Sequence, residues 1–473
     1  MPTLGPKPWS KTSLLVEPEH LRFGGGATET ILTPLVAVWM LVAIVLILAL
    51  PRHKVIIPFL FSCLNIPIGQ VVVLGTVHFT VFRILIIAGL ARRAAERGPS
   101  PGRKFPGGFN GVDQVTVLWT VSALTILSLQ WMDTQMLIHT LGDFMDALGG
   151  YLVVRFLVND RKAIRSTVIA LAVTCVVQGA CMLNEQITHE NVFSYMGGAP
   201  FTVRDDKIRS QGAMGCLYAG VFGGAVVPLF LWLWTEGKSR TVAFAGIAGA
   251  IAMAITSNSS SSLLALLGSV VGLAFWFLRR QMRLVRWGLS LTLVALHLVM
   301  KAPVWALIAH VDLTGSSSSD HRYKLVDSCI RHFSDWWLLG YKYYDQWGYD
   351  MWDLSDQFVA VALTGGLLTL VFYVAIFSRS FGAIGTARKQ VNGNRGEEWL
   401  LWCLGSVLFA NVVAHFGINY MAQMMMTVFP LLACISIAAF EARQEIVRSA
   451  EAPDEEMHAS VATAGETMSW LSA

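Results

Sequence analysis

Two arginines in polar stretches of an otherwise apolar chain carry the strongest promise of chemistry. Arg209 stands in the run Arg204-Asp205-Asp206-Lys207-Ile208-Arg209-Ser210-Gln211-Gly212, directly before a long apolar segment. Arg322 stands in Asp320-His321-Arg322-Tyr323-Lys324-Leu325, inside a second polar stretch that runs from Ala309 to Asp356. A guanidinium presents a planar fork of donors that matches phosphate oxygens two at a time. Beside a helix N-terminus, where backbone N–H groups also lack partners, it makes an anion site. Arg204, His321 and Lys324 add donors nearby. The blander alternative is a solvated loop whose Arg and Asp residues pair with one another, because such surface pairs are common and weak.

A site that breaks a bond also needs a proton acceptor. Asp356 ends the second polar stretch just before the next apolar run, where a carboxylate suits a general base or, equally, a helix cap. His415, with Asn419, Tyr420 and Gln423 close in sequence, surrounds the turn between the last two apolar segments and suits the same cavity. The candidate catalytic residues are therefore Asp356 and His415. The candidate binding residues are Arg209, Arg322, Arg204, Lys324, His321, Tyr420 and Gln423. Asp205 and Asp206 lack a third ligand, so no metal site is expected. The dense aromatics from Trp336 to Trp352 suit an interfacial belt, and one or two suit the apolar face of a sugar.

The elements that position these residues are membrane helices. The 473-residue chain is 54% hydrophobic and only 14% charged, with a mean hydropathy of +0.55. Its unbroken apolar runs match the length a helix needs to cross a bilayer and lack the alternation of barrel strands. The expected class is an all-α polytopic membrane protein of about 12–13 transmembrane helices, with a large, partly helical outer loop before the third-last helix. The expected spans are 31–50, 55–69, 74–91, 114–131, 135–158, 165–183, 213–234, 241–257, 261–278, 286–308, 357–378, 399–417 and 420–440. Residues 1–30 form a tail without a signal-peptide pattern, 31–440 the membrane domain, and 441–473 an acidic tail whose composition predicts disorder.

With these spans every basic connection falls on one side: Arg52–Lys54, Arg92–Lys104, Arg155–Arg165, Lys238–Arg240, Arg279–Arg286 and Arg379–Arg395. The rule that short basic loops stay in the cytoplasm assigns that side, and places both polar stretches, 184–212 and 309–356, outside. The net charge of +4 is small and gives no sign of nucleic-acid binding. The 7 Cys residues are scattered, which rules out a disulfide framework or zinc spacing. Within the spans, Asp143 and Asp146 share a helical face and either can neutralise Arg83, as a structural ion pair or, less simply, a proton relay. In the loop helix, Asp320 is an expected N-cap, Arg322, Leu325 and Cys329 form one stripe, and Asp327 pairs with Arg331.

The order of these features resembles the O-antigen ligase/polymerase superfamily, the GT-C-like membrane glycosyltransferases of bacterial surface polysaccharides. The resemblance covers roughly residues 35–440 and its motifs are loose. Phe79-Thr80-Val81-Phe82-Arg83 is similar to the family's early arginine helix. Arg209-Ser210-Gln211-Gly212 looks like the arginine that opens a mid-chain helix. Arg322 followed by Trp337-Leu338-Leu339-Gly340 resembles the arginine helix and turn of the large periplasmic loop. Ser355-Asp356-Gln357-Phe358 through Gly365-Gly366 resembles the start of the following helix, but with Ser355 or Asp356 where ligases carry a histidine.

The resemblance implies a site facing the periplasm of the bacterial inner membrane, with no cofactor and no metal. It implies a polyprenyl-pyrophosphate-linked oligosaccharide as donor and a glycan or lipid hydroxyl as acceptor, with the bilayer and other polysaccharide-assembly proteins as partners. The missing histidine favours a polymerase over a ligase. A secondary transporter or glycolipid flippase is the rival from another class, and an export scaffold a third.

Overall fold

The structure, a computed structural model, describes residues 30–75, 77–95, 107–204, 206–310, 318–348, 350–391, 393–421 and 423–444. The expected N-terminal tail, apart from residue 30, and the acidic segment Glu451–Glu456 lie outside the described residues.

The chain opens with two short helices, α1 (Pro34–Ala49) and α2 (Arg52–Asn65), the second with Pro58 inside it. The first departure from expectation follows. Residues 71–80 do not begin a membrane span but form a hairpin, β1 (Val71–Leu74) paired antiparallel with β2 (Val77–Thr80). The β-branched run Val71-Val72-Val73 favours extended backbone, and Gly75 turns the chain with φ +65. Helix α3 (Val81–Ala95) starts only after it. Next come α4 (Gly111–Trp131), capped by Asn110 and Asp113 in a reciprocal capping box, and α5 (Thr134–Phe144). From α5 a π-turn (Met145–Gly149) leads without a break into α6 (Gly150–Leu157).

Helices α7 (Arg161–Thr188), α8 (Cys216–Glu236), α9 (Arg240–Thr256) and α10 (Ser260–Ala274) form the centre. Between α7 and α8 lies a second hairpin, β3 (Thr202–Arg204) with β4 (Lys207–Arg209). Small residues let these helices approach closely. A Cβ on Gly179 would come within 2.5 Å of the Gly249 carbonyl, and one on Gly223 within 2.5 Å of Ala250 O. That is the packing expected where lipid gives helices no hydrophobic reason to associate.

Helix α11 (Met282–Val299) buries no residue against the rest of the chain. After it come α12 (Ser318–Arg331), the single turn α13 (Phe333–Trp336), α14 (Gln357–Gln390), α15 (Arg395–His415) and α16 (Gln423–Gln444). Helix α14 runs about three turns further than the expected span 357–378. Among the described residues, 8 helices are long and apolar enough to cross a membrane, with Pro34–Ala49 and Arg240–Thr256 shorter apolar helices beside them. The protein is an all-α polytopic membrane protein.

The bundle has two chemically distinct ends. At one, the basic connections meet carboxylates of neighbouring helices: Arg161 with Glu397 (2.5 Å), Arg165 with Glu236 (3.2 Å), and both Arg279 and Arg388 with Glu398 (3.3 and 2.9 Å). Loops far apart in sequence thus lie together, as the shared-side expectation required. At the other end, the β3–β4 hairpin, the α9–α10 turn, α12 and the starts of α8 and α14 come together.

Candidate functional site

The polar end is assembled around the turn from α9 to α10. The amide of Ser210, the residue after β4, donates to Thr256 O (3.2 Å). The Asn258 side chain donates to Ile208 O (2.6 Å). These two bonds pin β4 to the turn, with Arg209 between them. Its side chain is half-buried, and among the described residues it has no hydrogen-bond or ion-pair partner. It acts electrostatically on Cys216, the first residue of α8.

The stretch after Arg209 is held from below by α7. The Glu185 carboxylate, with no exposed surface, accepts from Gln211 N (2.9 Å) and Gly212 N (3.1 Å). Gln178 accepts from Ala213 N, and Asn191 donates to Gly212 O. The backbone carries unpaired N–H groups into this tight turn, and a bonded buried carboxylate is one of few groups able to satisfy two of them. Sequence reasoning missed Glu185, because it took the span to end at 183 and so read Glu185 as loop. A helix of 28 residues carries it on a buried face.

Arg322 also reaches this turn. Its Nη2 donates to Ser261 Oγ (3.0 Å) in the first turn of α10, and Ser261 donates in turn to Gly417 O (2.8 Å). Arg322 is 8% exposed and lies with Leu325 and Cys329 on the buried stripe of α12, as its spacing predicts. Asp320 is different. It lies inside α12 and pairs with Lys324 (2.6 Å), so it is not the cap. Lys324 is thereby turned to the exposed face, away from Arg322. Asp327 pairs with Arg331 (2.6 Å) as expected, and also accepts from Trp305 Nε1.

His321 Nε2 donates to Asp353 O (2.9 Å), and Asp353 in turn acts electrostatically on Tyr218 in the first turn of α8. Asp356 is buried and caps α14: its Oδ1 accepts from Phe358 N (2.8 Å) and Val359 N (3.0 Å). Among the described residues its Oδ2 takes no hydrogen bond. Burial pushes its carboxyl up to about 6, against the pull of the two amides and of the nearby Arg322 guanidinium. The mouth thus gathers Arg209, Arg322, His321, Asp353 and Asp356 where α8, α10 and α14 begin. The first amides of α8 and α14 are already taken by Gln211 and Asp356, so its positive charge rests on the arginines.

Of the remaining candidates, His415 and Tyr420 lie buried directly beneath this rim, where the His415 ring packs on Phe358 and Tyr420 N donates to Gln357 Oε1, whereas Gln423 and Arg204 lie apart from it. His415 has no exposed surface. Its Nδ1 faces Asn411 O, which can only accept, so that nitrogen carries the proton and Nε2 accepts from Tyr373 OH (2.7 Å). Tyr420 is buried against it and donates to Asn411 Oδ1 (3.0 Å). Gln423 donates to Cys63 O and Ile66 O (2.9 and 3.1 Å), facing α2. Arg204 stands opposite Lys207 on the exposed β3–β4 hairpin.

Two further expectations concern the frame around the mouth. Arg83 makes a forked pair with Asp146 (Nε–Oδ1 2.8 Å, Nη2–Oδ2 2.9 Å) with Asp143 at 3.6 Å, the ion pair that the shared face implied. The two loose motifs around Gly340 and Gly366 meet: Tyr341 N donates to Leu363 O (2.7 Å), and Leu367 N donates to Trp337 O (2.8 Å). Among the described residues no group of three His, Cys, Asp or Glu side chains could hold a metal ion.

No protein-family model matches the chain, and no curated protein matches it either. Fold and composition define a multi-pass membrane protein; what it does rests on the chemistry of the mouth.

Proposed function

We propose that the chain is a membrane glycosyltransferase acting on polyprenyl-pyrophosphate-linked glycans at the polar end of its bundle, where it joins polysaccharide repeat units. The observation that carries this reading is that the residues flanking Arg209 and the Arg322 side chain are all bonded to one turn, Thr256–Ser261. As the bond from the anomeric carbon to the pyrophosphate oxygen breaks, that oxygen keeps the electron pair and negative charge grows on the leaving group. Guanidinium donors stabilise such charge, and Arg322, held on Ser261, does so without having to reorganise. The acceptor hydroxyl oxygen forms the new bond to the anomeric carbon, and Asp356 is the base that takes its proton on Oδ2 while Oδ1 stays in the helix cap. By the basic-loop rule the mouth faces away from the cytoplasm, the side on which lipid-linked glycans are polymerised.

A transporter reading would draw on the break in α14, where Gly366 leaves helical geometry (φ 67, ψ −175). Broken helices in transporters expose backbone groups to a substrate cavity. Here the groups freed at Leu363 and Leu367 are taken by the backbone of Tyr341 and Trp337, so the break is filled by protein.

The test is carried out in cells that make the polysaccharide. Arg209→Ala and Arg322→Ala are expected each to abolish long chains and to accumulate lipid-linked single units. Long chains retained on the lipid carrier would identify a ligase instead. Unchanged glycan length and amount in both variants would end the glycosyltransferase reading.

A further inference from the structure

At the basic end of the bundle, between the start of α4, the second half of α14 and the end of α16, lies a cavity of about 360 Å³. Two arginines line it, Arg379 of α14 and Arg443 of α16. They differ from their neighbours. Arg161, Arg165, Arg279 and Arg388 are all matched by carboxylates of adjacent helices. Among the described residues Arg379 and Arg443 have no hydrogen-bond or ion-pair partner, although two helices hold them against one space.

The third wall brings no compensating acid. Asp113, in the first turn of α4, is already bonded by Asn110 N, Tyr151 OH and Arg155. The first amides of α4 are likewise taken, by Asn110 Oδ1, so the attraction rests on the arginines and not on a helix end. Inside the cavity Ser436 is 4% exposed, and its hydroxyl has no hydrogen-bond partner. A buried hydroxyl of this kind costs free energy until something accepts or donates to it. Gly382 keeps the space open: a Cβ there would meet nothing within 4 Å.

We propose that this cavity is a binding site for a phosphate group, gripped by Arg379 and Arg443 from two helices with Ser436 donating from beneath. Its place among helix ends at the basic, bilayer-bordering end makes the phosphate of an anionic phospholipid the natural source, and basic pockets between helices on that side recognise such headgroups. The occupant ties α4, α14 and α16 together at the end opposite the mouth. This inference is independent of the glycosyltransferase reading.

The test uses the full chain, purified in neutral detergent and stripped of lipid. Phosphatidylglycerol, phosphatidylcholine and sn-glycerol 1-phosphate are added separately, and retained lipid is read by native mass spectrometry alongside the unfolding temperature. The wild type is expected to retain phosphatidylglycerol about tenfold better than the double variant Arg379→Gln/Arg443→Gln. Gly382→Leu, which keeps both charges but fills the cavity, is expected to lose retention equally. A temperature rise with glycerol phosphate alone, lost in both variants, would assign the same site to a soluble phosphate compound. Equal phosphatidylglycerol retention by wild type and double variant overturns the proposal. So does full retention by Gly382→Leu, which would reduce the arginines to surface charge. Both arginines are exposed, and unfolding without added ligand checks that each variant is folded.

Discussion

Gly340 and Gly366 face each other across a loop and a broken helix, each bare where the other's backbone passes. A Cβ on Gly340 would fall 2.1 Å from Leu363 O, and one on Gly366 2.7 Å from Leu338 O. Both residues also have positive φ, at 69° and 67°. The large polar stretch is thus clasped into α14 about two to three turns after Asp356, which fixes α12 and Arg322 relative to the start of that helix. The clasp exists only because neither position carries a side chain.

Gly340→Ala and Gly366→Ala should each therefore destabilise the protein through steric overlap and backbone strain together, by about 2–4 kcal/mol. Thermal unfolding in detergent measures this. A loss under half a kilocalorie in both would mean that the loop does not dock into the break.

Glu185 is expected to act on the mouth at a distance. Removing its carboxylate in Glu185→Ala strands the buried amides of Gln211 and Gly212, each orphan costing about 1–3 kcal/mol. Glu185→Gln keeps one acceptor oxygen and should recover most of the stability. If Arg209 needs this clamp to hold its place, glycan polymerisation should fall in the Ala variant and be restored by Gln. Full polymerisation in a folded Glu185→Ala protein would show that the clamp serves stability alone.

Much of this was legible from the chain and some was not, for identifiable reasons. Helix order, the shared side of the basic loops, the Arg83–Asp146 pair and the buried stripe of α12 follow from apolar length, charge and 3.6-residue spacing, which are local signals. The β1–β2 hairpin was hidden because Val71-Val72-Val73 is as apolar as a membrane helix, and hydropathy alone cannot separate the two. Ser261 carried no mark among the serines 257 and 259–262, since its task depends on Arg322 arriving from 61 residues away. Lys324 shares a polar run with Arg322 but points elsewhere, because Asp320 lies one helical turn before it.

The Arg83–Asp146 pair offers a test of structure against proton relay. Arg83 and Asp146 side chains are 17% and 8% exposed, so losing Arg83 leaves Asp146 nearly buried and unpaired, and losing Asp146 leaves Arg83 only Asp143 at 3.6 Å and His78 O. Arg83→Met or Asp146→Leu alone should cost about 3–5 kcal/mol, and the double variant much less. Recovery of both stability and polysaccharide synthesis in the double variant would assign the pair a structural role. Recovery of stability with synthesis still absent would point to proton transfer.

Asp356 makes the pH dependence specific. Its carboxyl stands at about 6 in the folded protein, raised from the ordinary 3.8 mainly by burial. A base works only as the carboxylate, so glycan transfer should climb as pH rises through about 6 and then level off. Stability should move the opposite way. The folded state holds this proton more tightly than the unfolded chain, so the associated stability is complete below pH 3.8 and is lost as pH rises through about 6. Asp356→Asn retains an oxygen to cap α14 and should remove both effects, leaving a folded protein without transfer. Asp356→Ala should additionally lose about 1 kcal/mol of cap stability. Transfer by the Asn variant at the wild-type rate, with the same pH profile, would strip Asp356 of the base role and leave it as a cap.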